Sequence, residues 1–282
     1  MDDYIQPNST NTAINTLTPQ PDKSVDINQQ VASFVPISLT EMDSVKLMNR
    51  IDTKFLIGVQ HLNILLERAL EHYRIVEIDG TRIIPYSTIY FDTVDTIMYM
   101  MHHNRKLNRY KIRMRSYVMS GVSFLEIKRK NNKGRTTKKR IPIENEQFNL
   151  MLLKENEQEF VLKKTPYHPT LLKPQLQNSF NRITLVDKNL TERVTLDTTL
   201  IYKNLLNGLH KELNGLVIVE MKQDGACQSH FRTYLNELSV LPKSMSKYCL
   251  GMVLVNPEIK SNRFKNKIRV INKITANNHA TN

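Results

Sequence analysis

The chain has few cysteines and no long apolar segment. Only Cys227 and Cys249 occur among 282 residues, which excludes a disulfide-stabilised scaffold and indicates a reducing compartment. No apolar run approaches the ~20 residues that a membrane-spanning helix needs. Residues 1–30, rich in Asn, Thr, Gln, Asp and Pro, lack the hydrophobic core of a secretion signal. These absences predict a soluble, cytoplasmic protein.

The sequence also lacks several motifs of catalysis and nucleotide binding. It has neither a Gly-x-Gly-x-x-Gly nor a Walker loop, so any phosphate recognition must come from side chains. The eight histidines do not show the His-Glu-x-x-His spacing of a zinc site, and neither cysteine has a nearby histidine that could activate its thiol. These absences disfavour zinc chemistry and covalent acyl transfer.

Positive charge is in excess. There are 40 Lys and Arg against 27 Asp and Glu, which gives a net charge of +13 and a pI near 9.6. Such a balance suits a polyanionic partner, whether nucleic acid, a phosphate compound or an anionic membrane surface. Net charge does not determine fold, so the placement of the cations along the chain carries the argument.

One predicted strand, 108–117, concentrates this charge on a single face. Because side chains alternate across a strand, Lys111, Arg113 and Arg115 share one face, and the apolar residues between them share the other. A row of fixed cations with an apolar back predicts an anion-binding surface.

The same alternation recurs in five further predicted strands. Six such rows, with few carboxylates, favour a closed or nearly closed antiparallel sheet with a basic interior and an apolar exterior covered by helices. A solvated outer face is the commoner explanation for any single row, and the recurrence argues against it. The further rows are Arg50, Asp52 and Lys54; Glu126, Lys128 and Lys130; Lys138 and Arg140; Arg193, Thr195 and Asp197; and Glu220 and Lys222.

The predicted elements divide the chain into three parts. Residues 1–35 have few large apolar side chains, which predicts a disordered leader. Residues 36–256 alternate hairpin-linked strands with helices, which predicts one α+β domain built on an antiparallel β-barrel. Ser38 and Glu41 form a capping-box pattern at its first helix. Residues 257–282 are basic and predict a flexible tail.

Two carboxylates are candidate metal ligands. Phosphoryl transfer needs a divalent ion, Mn²⁺ or Mg²⁺, which prefers oxygen ligands. Glu220 follows an apolar run, where an unpaired carboxylate would be costly to bury, and Glu126 has the same Glu-x-Lys spacing. The alternative for each is a salt bridge with a neighbouring lysine or a cross-strand arginine. The pattern favours ligation at Glu220 and does not separate the two roles at Glu126.

Nine short motifs occur in a fixed order along the chain. They are 49–55 (NRIDTKF), 90–93 (YFDT), 109–115 (RYKIRMR), 125–128 (LEIK), 138–140 (KKR), 180–182 (FNR), 193–197 (RVTLD), 219–222 (VEMK) and 246–248 (SKY). The ordered set resembles the catalytic domain of the vacuolar transporter chaperone (VTC) polyphosphate polymerases, a branch of the triphosphate tunnel metalloenzymes. Each motif is short, so the order of the motifs over about residues 37–256 makes the resemblance specific.

The resemblance implies a fold, a reaction and a set of binding residues. It implies an antiparallel tunnel barrel that transfers the terminal phosphate of ATP to a polyphosphate chain, with a metal ion held by Glu220. Such transfer relies on positioning and charge neutralisation. The phosphate-binding residues would be Lys54, Arg113, Arg115, Lys128, Lys138, Arg140, Arg182, Arg193 and Lys247. Of these, Lys54, Arg113, Arg115, Lys128 and Lys247 would act in catalysis.

One departure from the wider superfamily bears on the reaction. Hydrolytic tunnel enzymes resemble one another in a Glu-x-Glu-x-Lys first strand, whereas this chain has Arg50, Asp52 and Lys54 at those positions. Fewer carboxylates and more cations favour chain binding and transfer over multi-metal hydrolysis.

Two alternatives stay open. One is a tripolyphosphatase or nucleoside triphosphatase of the same fold, and the other is a non-catalytic module that binds polyphosphate or RNA. RNA is disfavoured because the basic rows alternate with aliphatic residues, whereas sequence-tolerant strand binding usually adds aromatic stacking. We therefore expect ATP and polyphosphate as partners and no specific nucleic acid. Peripheral association with a membrane partner is left open.

Overall fold

Eight long strands of the computed structural model form one antiparallel ladder. The structure describes residues 27–43, 50–151, 153–225 and 228–277. The ladder runs in the order β2 (Arg50–Gly58), β11 (Leu216–Asp224), β9 (Glu192–Asn204), β8 (Lys173–Asp187), β4 (Ile84–Asp92), β5 (Arg109–Tyr117), β6 (Val122–Lys130) and β7 (Thr136–Ile143). Three short strands attach to it, namely β1 (Pro36–Ile37), β3 (Tyr73–Val76) and β10 (His210–Leu213).

Helices occupy many of the connections between these strands. They are α1 (Ile27–Ala32), α2 (Leu39–Asp43), α3 (Leu62–Ala69), α4 (Ile97–His103), α5 (Asn145–Leu150), α6 (Glu155–Lys164), α7 (His230–Glu237), α8 (Lys247–Val255) and α9 (Lys265–Asn277). Short 3-10 turns lie at Val59–His61, Pro169–Leu171 and Asn262–Phe264. None of the described helices is both long and apolar enough to cross a bilayer.

Strand alternation gives the sheet an apolar face and a charged face. Phe55 on β2 and Val219 on β11 are buried in a cluster with α1, α3 and α7. Ile112 on β5 and Leu125 on β6 are buried in a second cluster with α5 and α6 on the same side of the sheet. The helix-covered apolar face is therefore as the sequence predicts.

The opposite face carries the charged rows and, at one end, helix α8. A third apolar cluster joins this helix to Leu216 and Ile218 on β11 and to Phe180 on β8. Helix α9 closes the cluster through Ile271, which is fully buried. Helix α8 thus lies against the charged face, and its first residue, Lys247, is placed next to the charges.

The α+β class and the antiparallel sheet with a basic face are confirmed. Hydrogen bonds between β2 and β7 are absent from the described residues, so the ladder is not closed into a complete barrel. At the β2 edge, the segment before α8 makes a backbone contact, in which the Lys243 N–H donates to the Lys54 carbonyl at 2.7 Å.

Both predicted flexible ends contain ordered helices. Ile27, Val31 and Phe34, within the predicted leader, are buried in the first apolar cluster. Their spacing of four and three residues is helical, and the low apolar content around them concealed it. Helix α9 likewise lies within the predicted tail. Residues 1–26 and 278–282 are outside the described residues.

The capping box at the start of α2 is confirmed. The Ser38 N–H donates to Glu41 Oε2 at 2.9 Å, and the Glu41 N–H donates to Ser38 Oγ at 3.2 Å. This pair satisfies backbone donors that the helix itself leaves unpaired.

Candidate functional site

The first group of charges surrounds Glu220 on the charged face of β11. Glu220 lies opposite Lys54 of β2 in the register, and the two side chains form an ion pair. Lys222 Nζ lies 3.1 Å from Glu220 Oε2. Burial would raise the pKa of the Glu220 carboxyl, but Lys222 and Lys54 outweigh it and hold the pKa well below the ordinary value. Glu220 is therefore a carboxylate held between two cations.

The second group surrounds Asp197 on β9, which is fully buried. Arg182 of β8 donates from Nε to Oδ1 at 2.6 Å and from Nη2 to Oδ2 at 2.8 Å, and Lys247 pairs with Oδ2. Burial opposes ionisation of Asp197, yet Arg182 and Lys247 lower its pKa below the ordinary range. The fork geometry fixes the Arg182 guanidinium in the plane of the carboxylate.

The third group surrounds Glu126 on β6, which is also fully buried. Arg113 donates to Glu126 Oε2 from Nε at 2.7 Å and from Nη2 at 2.5 Å, and Lys138 pairs with Oε1. Burial would raise the pKa of Glu126, but Arg113, Arg115 and Lys138 keep it below the ordinary value. Both carboxylate oxygens face cations.

Lys128 and Arg115 are cations without an ion-pair partner in the described part of the chain. Repulsion from Arg113, burial and repulsion from Arg115 lower the pKa of Lys128 to about 6. Arg115 is 8 % exposed, and its Nε donates to Thr88 Oγ1 at 3.2 Å. Arg115 therefore holds positive charge without a carboxylate partner inside the protein, whereas Lys128, with its lowered pKa, would gain its charge when an anion lies beside it.

Electrostatic interactions join the three groups into one surface. Burial and repulsion from Arg113 lower the pKa of Arg115, and the charge of Arg182 lowers it further. Arg182 likewise lowers the pKa of Lys222, which burial has already reduced, to about 8. Arg182 thus acts on the Glu126 side and on the Glu220 side of the face, so the three groups form one continuous basic surface. We call this surface the concavity, because Glu126, Asp197, Arg113 and Arg115 are buried although they lie on an outer face of the sheet.

Two stacked aromatic rings form part of the surface beneath these cations. Tyr86 and Phe180 lie 5.3 Å apart with their planes at 3°. Arg182 Cζ is 5.1 Å from the Tyr86 centroid, Arg115 Cζ is 5.6 Å from the same ring, and Lys247 Nζ is 4.7 Å from the Phe180 centroid. The negative ring faces favour the cations in this region.

Helix α8 holds Lys247 in place through its neighbours. Ser246 Oγ accepts from the Cys249 N–H at 3.3 Å and caps the helix. The Tyr248 hydroxyl donates to the buried Asp92, which also accepts from the backbone N–H groups of Met98 and Tyr99 at 2.9 Å each. Asp92 thereby links the start of α4 to the start of α8.

The structure brings seven of the nine predicted phosphate-binding residues together. They are Lys54, Arg113, Arg115, Lys128, Lys138, Arg182 and Lys247. Arg140 is exposed on β7, where its Cζ lies 4.3 Å above the Phe124 ring. Arg193 lies opposite Lys222 at the far end of the row, with Nη1 3.8 Å from Met42 Sδ. Both residues therefore lie at the margins of the seven.

The carboxylates differ in how well they fit a divalent cation. Groups of three or more His, Cys, Asp or Glu that could hold a metal are absent from the described residues. Mg²⁺ is often bound by one or two carboxylates together with substrate phosphates. Glu220, whose side chain is 20 % exposed, fits that mode. Glu126 has no exposed surface and both oxygens paired, so the salt-bridge alternative suits it better.

Sequence reasoning missed several residues of the site. Asp197 and Asp92 lie within the quoted motifs, but the pattern did not assign them as anchors of Lys247 and Tyr248. Lys222 was considered only as a partner of Glu220. The missing information is the placement of α8 against β9, which brings Asp197 and Lys247 together although they are 50 residues apart in the chain.

The comparisons with known proteins agree with the motif order. The family model described as VTC domain matches residues 49–256. A sequence comparison with curated proteins gives no match.

Among solved structures, a proposed adenylate cyclase from Bacillus halodurans is similar at 14 % identity and a TM-score of 0.47, covering 71 % of this chain and 96 % of that chain. A proposed adenylyl cyclase from Hippeastrum with a dominant triphosphatase activity is similar at 13 % identity and a TM-score of 0.44, covering 72 % and 95 %. Since the family model covers well over half of the sequence, the chain belongs to the VTC domain family.

Proposed function

We propose that this protein is a metal-dependent polyphosphate polymerase, which transfers the terminal phosphate of ATP to a growing polyphosphate chain. One observation carries the proposal. Seven cations from β2, β5, β6, β7, β8 and α8 surround one concavity with three carboxylates, each of which is held by two cations. The membership of the VTC domain family supports the same conclusion.

The cations suit a linear chain of phosphates. An arginine fork matches two phosphate oxygens, and a lysine supplies a compact charge with three donors. At ~4 Å and an effective dielectric constant near 20, each charge pair contributes about 4 kcal/mol before desolvation. A bound phosphate would neutralise Arg115 and favour protonation of Lys128, since neither residue has a carboxylate partner in the described part of the chain.

The reaction itself requires little covalent chemistry from the protein. Arg113, Arg182 and Lys247 would hold the reacting phosphates in line and offset the charge that develops on the transferred group. Their guanidinium and ammonium groups are already fixed by Glu126 and Asp197, so they need little reorganisation when the substrate binds.

Glu220 would hold the divalent cation, Mn²⁺ or Mg²⁺. When bound, such an ion would supply positive charge that offsets the negative charge of the reacting phosphates. Lys54 and Lys222 now occupy the Glu220 oxygens. A phosphate chain in the concavity would offer both lysines an alternative anion and would leave Glu220 available to the metal.

The test is an ATP assay with analysis of product length. Purified protein is incubated with ATP and Mn²⁺, and the products are sized and ADP is measured. We expect polyphosphate longer than triphosphate and an equivalent release of ADP. Glu220→Gln should reduce the rate by about 100-fold because charge stabilisation at the reacting group is lost. Glu258→Gln, an exposed change of the same type, should retain the wild-type rate.

The products also distinguish polymer synthesis from the alternative reaction, which is hydrolysis. Orthophosphate without polymer would identify a tripolyphosphatase or nucleoside triphosphatase. Absence of any ATP turnover, with Glu220→Gln identical to the wild type, would contradict both enzymatic functions.

A further inference from the structure

The charged row of β5 continues beyond the three carboxylate groups. From Arg113 the next residue on the same face is Lys111, one step of about 6.6 Å along the strand. Lys111 Nζ donates to Ser246 Oγ at 2.9 Å, at the start of α8. The following residue in the row, Arg109, lies at the beginning of the strand and is partly exposed. The row therefore leads from the concavity toward solvent.

The segment before α8 and the helix α9 bring two more cations to this end of the row. Lys267 of α9 donates from Nζ to Ser244 Oγ at 3.2 Å, two residues before Ser246. Lys243 is exposed, and its backbone N–H is bonded to the carbonyl of Lys54. These contacts place the segment 243–246 between the concavity and α9.

The charges of these residues act on one another. Burial lowers the pKa of Lys267, and repulsion from Arg105 and Lys243 lowers it further. Burial lowers the pKa of His102 to about 3, and Lys111, Arg109 and Lys267 add to this effect. Cations from β5, β6 and α9 therefore act on His102, and Arg105 and Lys243 act on Lys267 beside it.

We call this group the basic mouth, and it comprises Arg105, Arg109, Lys111, Lys243 and Lys267. In the ranges that the structure describes, none of the five forms an ion pair with a carboxylate. The neighbouring concavity contrasts with it, because Glu126, Asp197 and Glu220 form ion pairs with most of the cations there. The described residues supply no carboxylate to the basic mouth, so its charge is available to a polyanionic ligand.

We propose that the basic mouth is a second polyanion subsite, which binds the part of a long polyphosphate chain that extends past Lys111 to the protein surface. This inference rests on the proposed function and adds a binding region to it. Lys267 lies beyond residues 49–256, which the family model matches, so part of the subsite comes from the C-terminal helix of this chain. A triphosphate in the concavity would leave the subsite free, whereas a long chain would occupy both.

The experiment compares the affinity for a long chain with the affinity for triphosphate. Dissociation constants for tripolyphosphate and for a chain of about 60 phosphates are measured without ATP or metal. The test variant is Lys267→Gln/Arg105→Gln. The matched control is Lys265→Gln/Arg269→Gln, which removes the same charge. Lys265 and Arg269 are both exposed and lie two residues from Lys267, about 200° around the helix.

We expect the test variant to lower the ratio of long-chain affinity to triphosphate affinity by about tenfold, with a shallower dependence on salt concentration. The control should change this ratio by less than about twofold. Equal losses in both variants would show a non-specific effect of net charge and would overturn the proposal. An unchanged ratio in the test variant would overturn it as well.

The outcomes test the second subsite and the polymerase activity independently of each other. If the test variant keeps the wild-type ratio while the wild type makes polymer, the subsite is refuted and the polymerase stands. If the ratio falls but ATP yields no polymer, the subsite stands and the polymerase fails. The assignment of the ligand as polyphosphate would be overturned by two results together. Single-stranded RNA of equal charge would displace the long chain, and the affinity for RNA would depend more strongly on Lys267 and Arg105 than the affinity for polyphosphate does.

Discussion

Lys128 has a strongly lowered pKa in the folded protein. Its ammonium group is half-buried among Arg113 and Arg115, and its pKa is about 6 instead of the ordinary 10.5. Between these two pH values the unfolded chain binds more protons at this position than the folded chain does. The contribution of Lys128 to stability therefore increases as the pH rises from about 6 toward 10.5.

Binding of a polyanion should reverse this effect. Phosphate oxygens near Lys128 would favour its charged form and raise its pKa, so binding should take up a proton and should strengthen as the pH falls toward 6. We expect the wild type to take up about one proton more per tripolyphosphate than Lys128→Met at pH 7.5. Calorimetry in buffers of different ionisation enthalpy measures the difference. Protons that the ligand itself takes up are the same for the wild type and for Lys128→Met, so the difference between the two proteins reports on Lys128. Equal proton uptake by both proteins would show that Lys128 is not the group that takes up the proton.

Two contacts position helix α8: the close packing of Gly251 on β8 and β9, and the hydrogen bond of Tyr248 in the first turn. A Cβ at Gly251 would lie 2.4 Å from a Tyr202 ring carbon and 2.6 Å from Leu176 Cδ2, so only glycine allows the helix to pack this closely on β8 and β9. At the start of the helix, the Tyr248 hydroxyl is bonded to Asp92. These contacts determine where Lys247 meets Asp197.

Removing the Tyr248 hydroxyl should therefore affect both stability and binding. Tyr248→Phe leaves the buried Asp92 carboxylate with one donor fewer, and we expect the free energy of unfolding to fall by about 1–2 kcal/mol. Affinity for tripolyphosphate should fall several-fold because Lys247 is less well held. Chemical denaturation and calorimetry give the two values.

The control is Tyr202→Phe. The Tyr202 hydroxyl is buried and lacks a hydrogen-bond partner among the described residues, so its removal should leave stability unchanged or slightly higher. Similar losses in both variants would indicate a general sensitivity of the core to substitution.

Secondary structure was predictable where alternation was strong. The sequence predicts strands at 108–117 and 122–130. The second has those bounds in the structure, and the first starts one residue later. The sequence predicts one polar helix over about residues 145–163, whereas the structure has two helices there, because Met151 adopts a left-handed conformation with φ of 56°. Strand β10 was missed because His210–Leu213 is short and largely exposed.

The sequence predicts the cations of the site better than it predicts which carboxylate each cation pairs with. Alternation alone identified Lys111, Arg113 and Arg115 as one face. The pairing of Lys54 with Glu220 joins residues 166 apart, and only the register of β2 and β11 determines it. Sequence reasoning therefore found the positive charge and two of the carboxylates, Glu126 and Glu220, but not the role of Asp197 or the pairing of Lys54 with Glu220.

At the scale of the whole molecule, the concavity gathers charges that repel one another. A ligand that binds only the folded state should raise its stability, by about 2.7 kcal/mol at a concentration of 100 times the dissociation constant. For a domain of this size the melting temperature should rise by roughly 5–10 °C. Differential scanning calorimetry with tripolyphosphate measures the rise.

Sodium chloride at the same ionic strength serves as the control and should give a much smaller increase. An equal increase with both salts would mean that the cations act as dispersed surface charges, since general screening would then account for the effect.

The ladder ends at β7, whose outer edge is not paired in the described part of the chain. An unpaired edge can recruit a strand from a second molecule and start aggregation. On β7, Lys138, Lys139 and Arg140 stand in succession and are exposed, and Pro142 offers no backbone donor. Two such edges would repel each other. The positive charge that suits β7 to a phosphate chain thus also protects the protein from self-association at this edge.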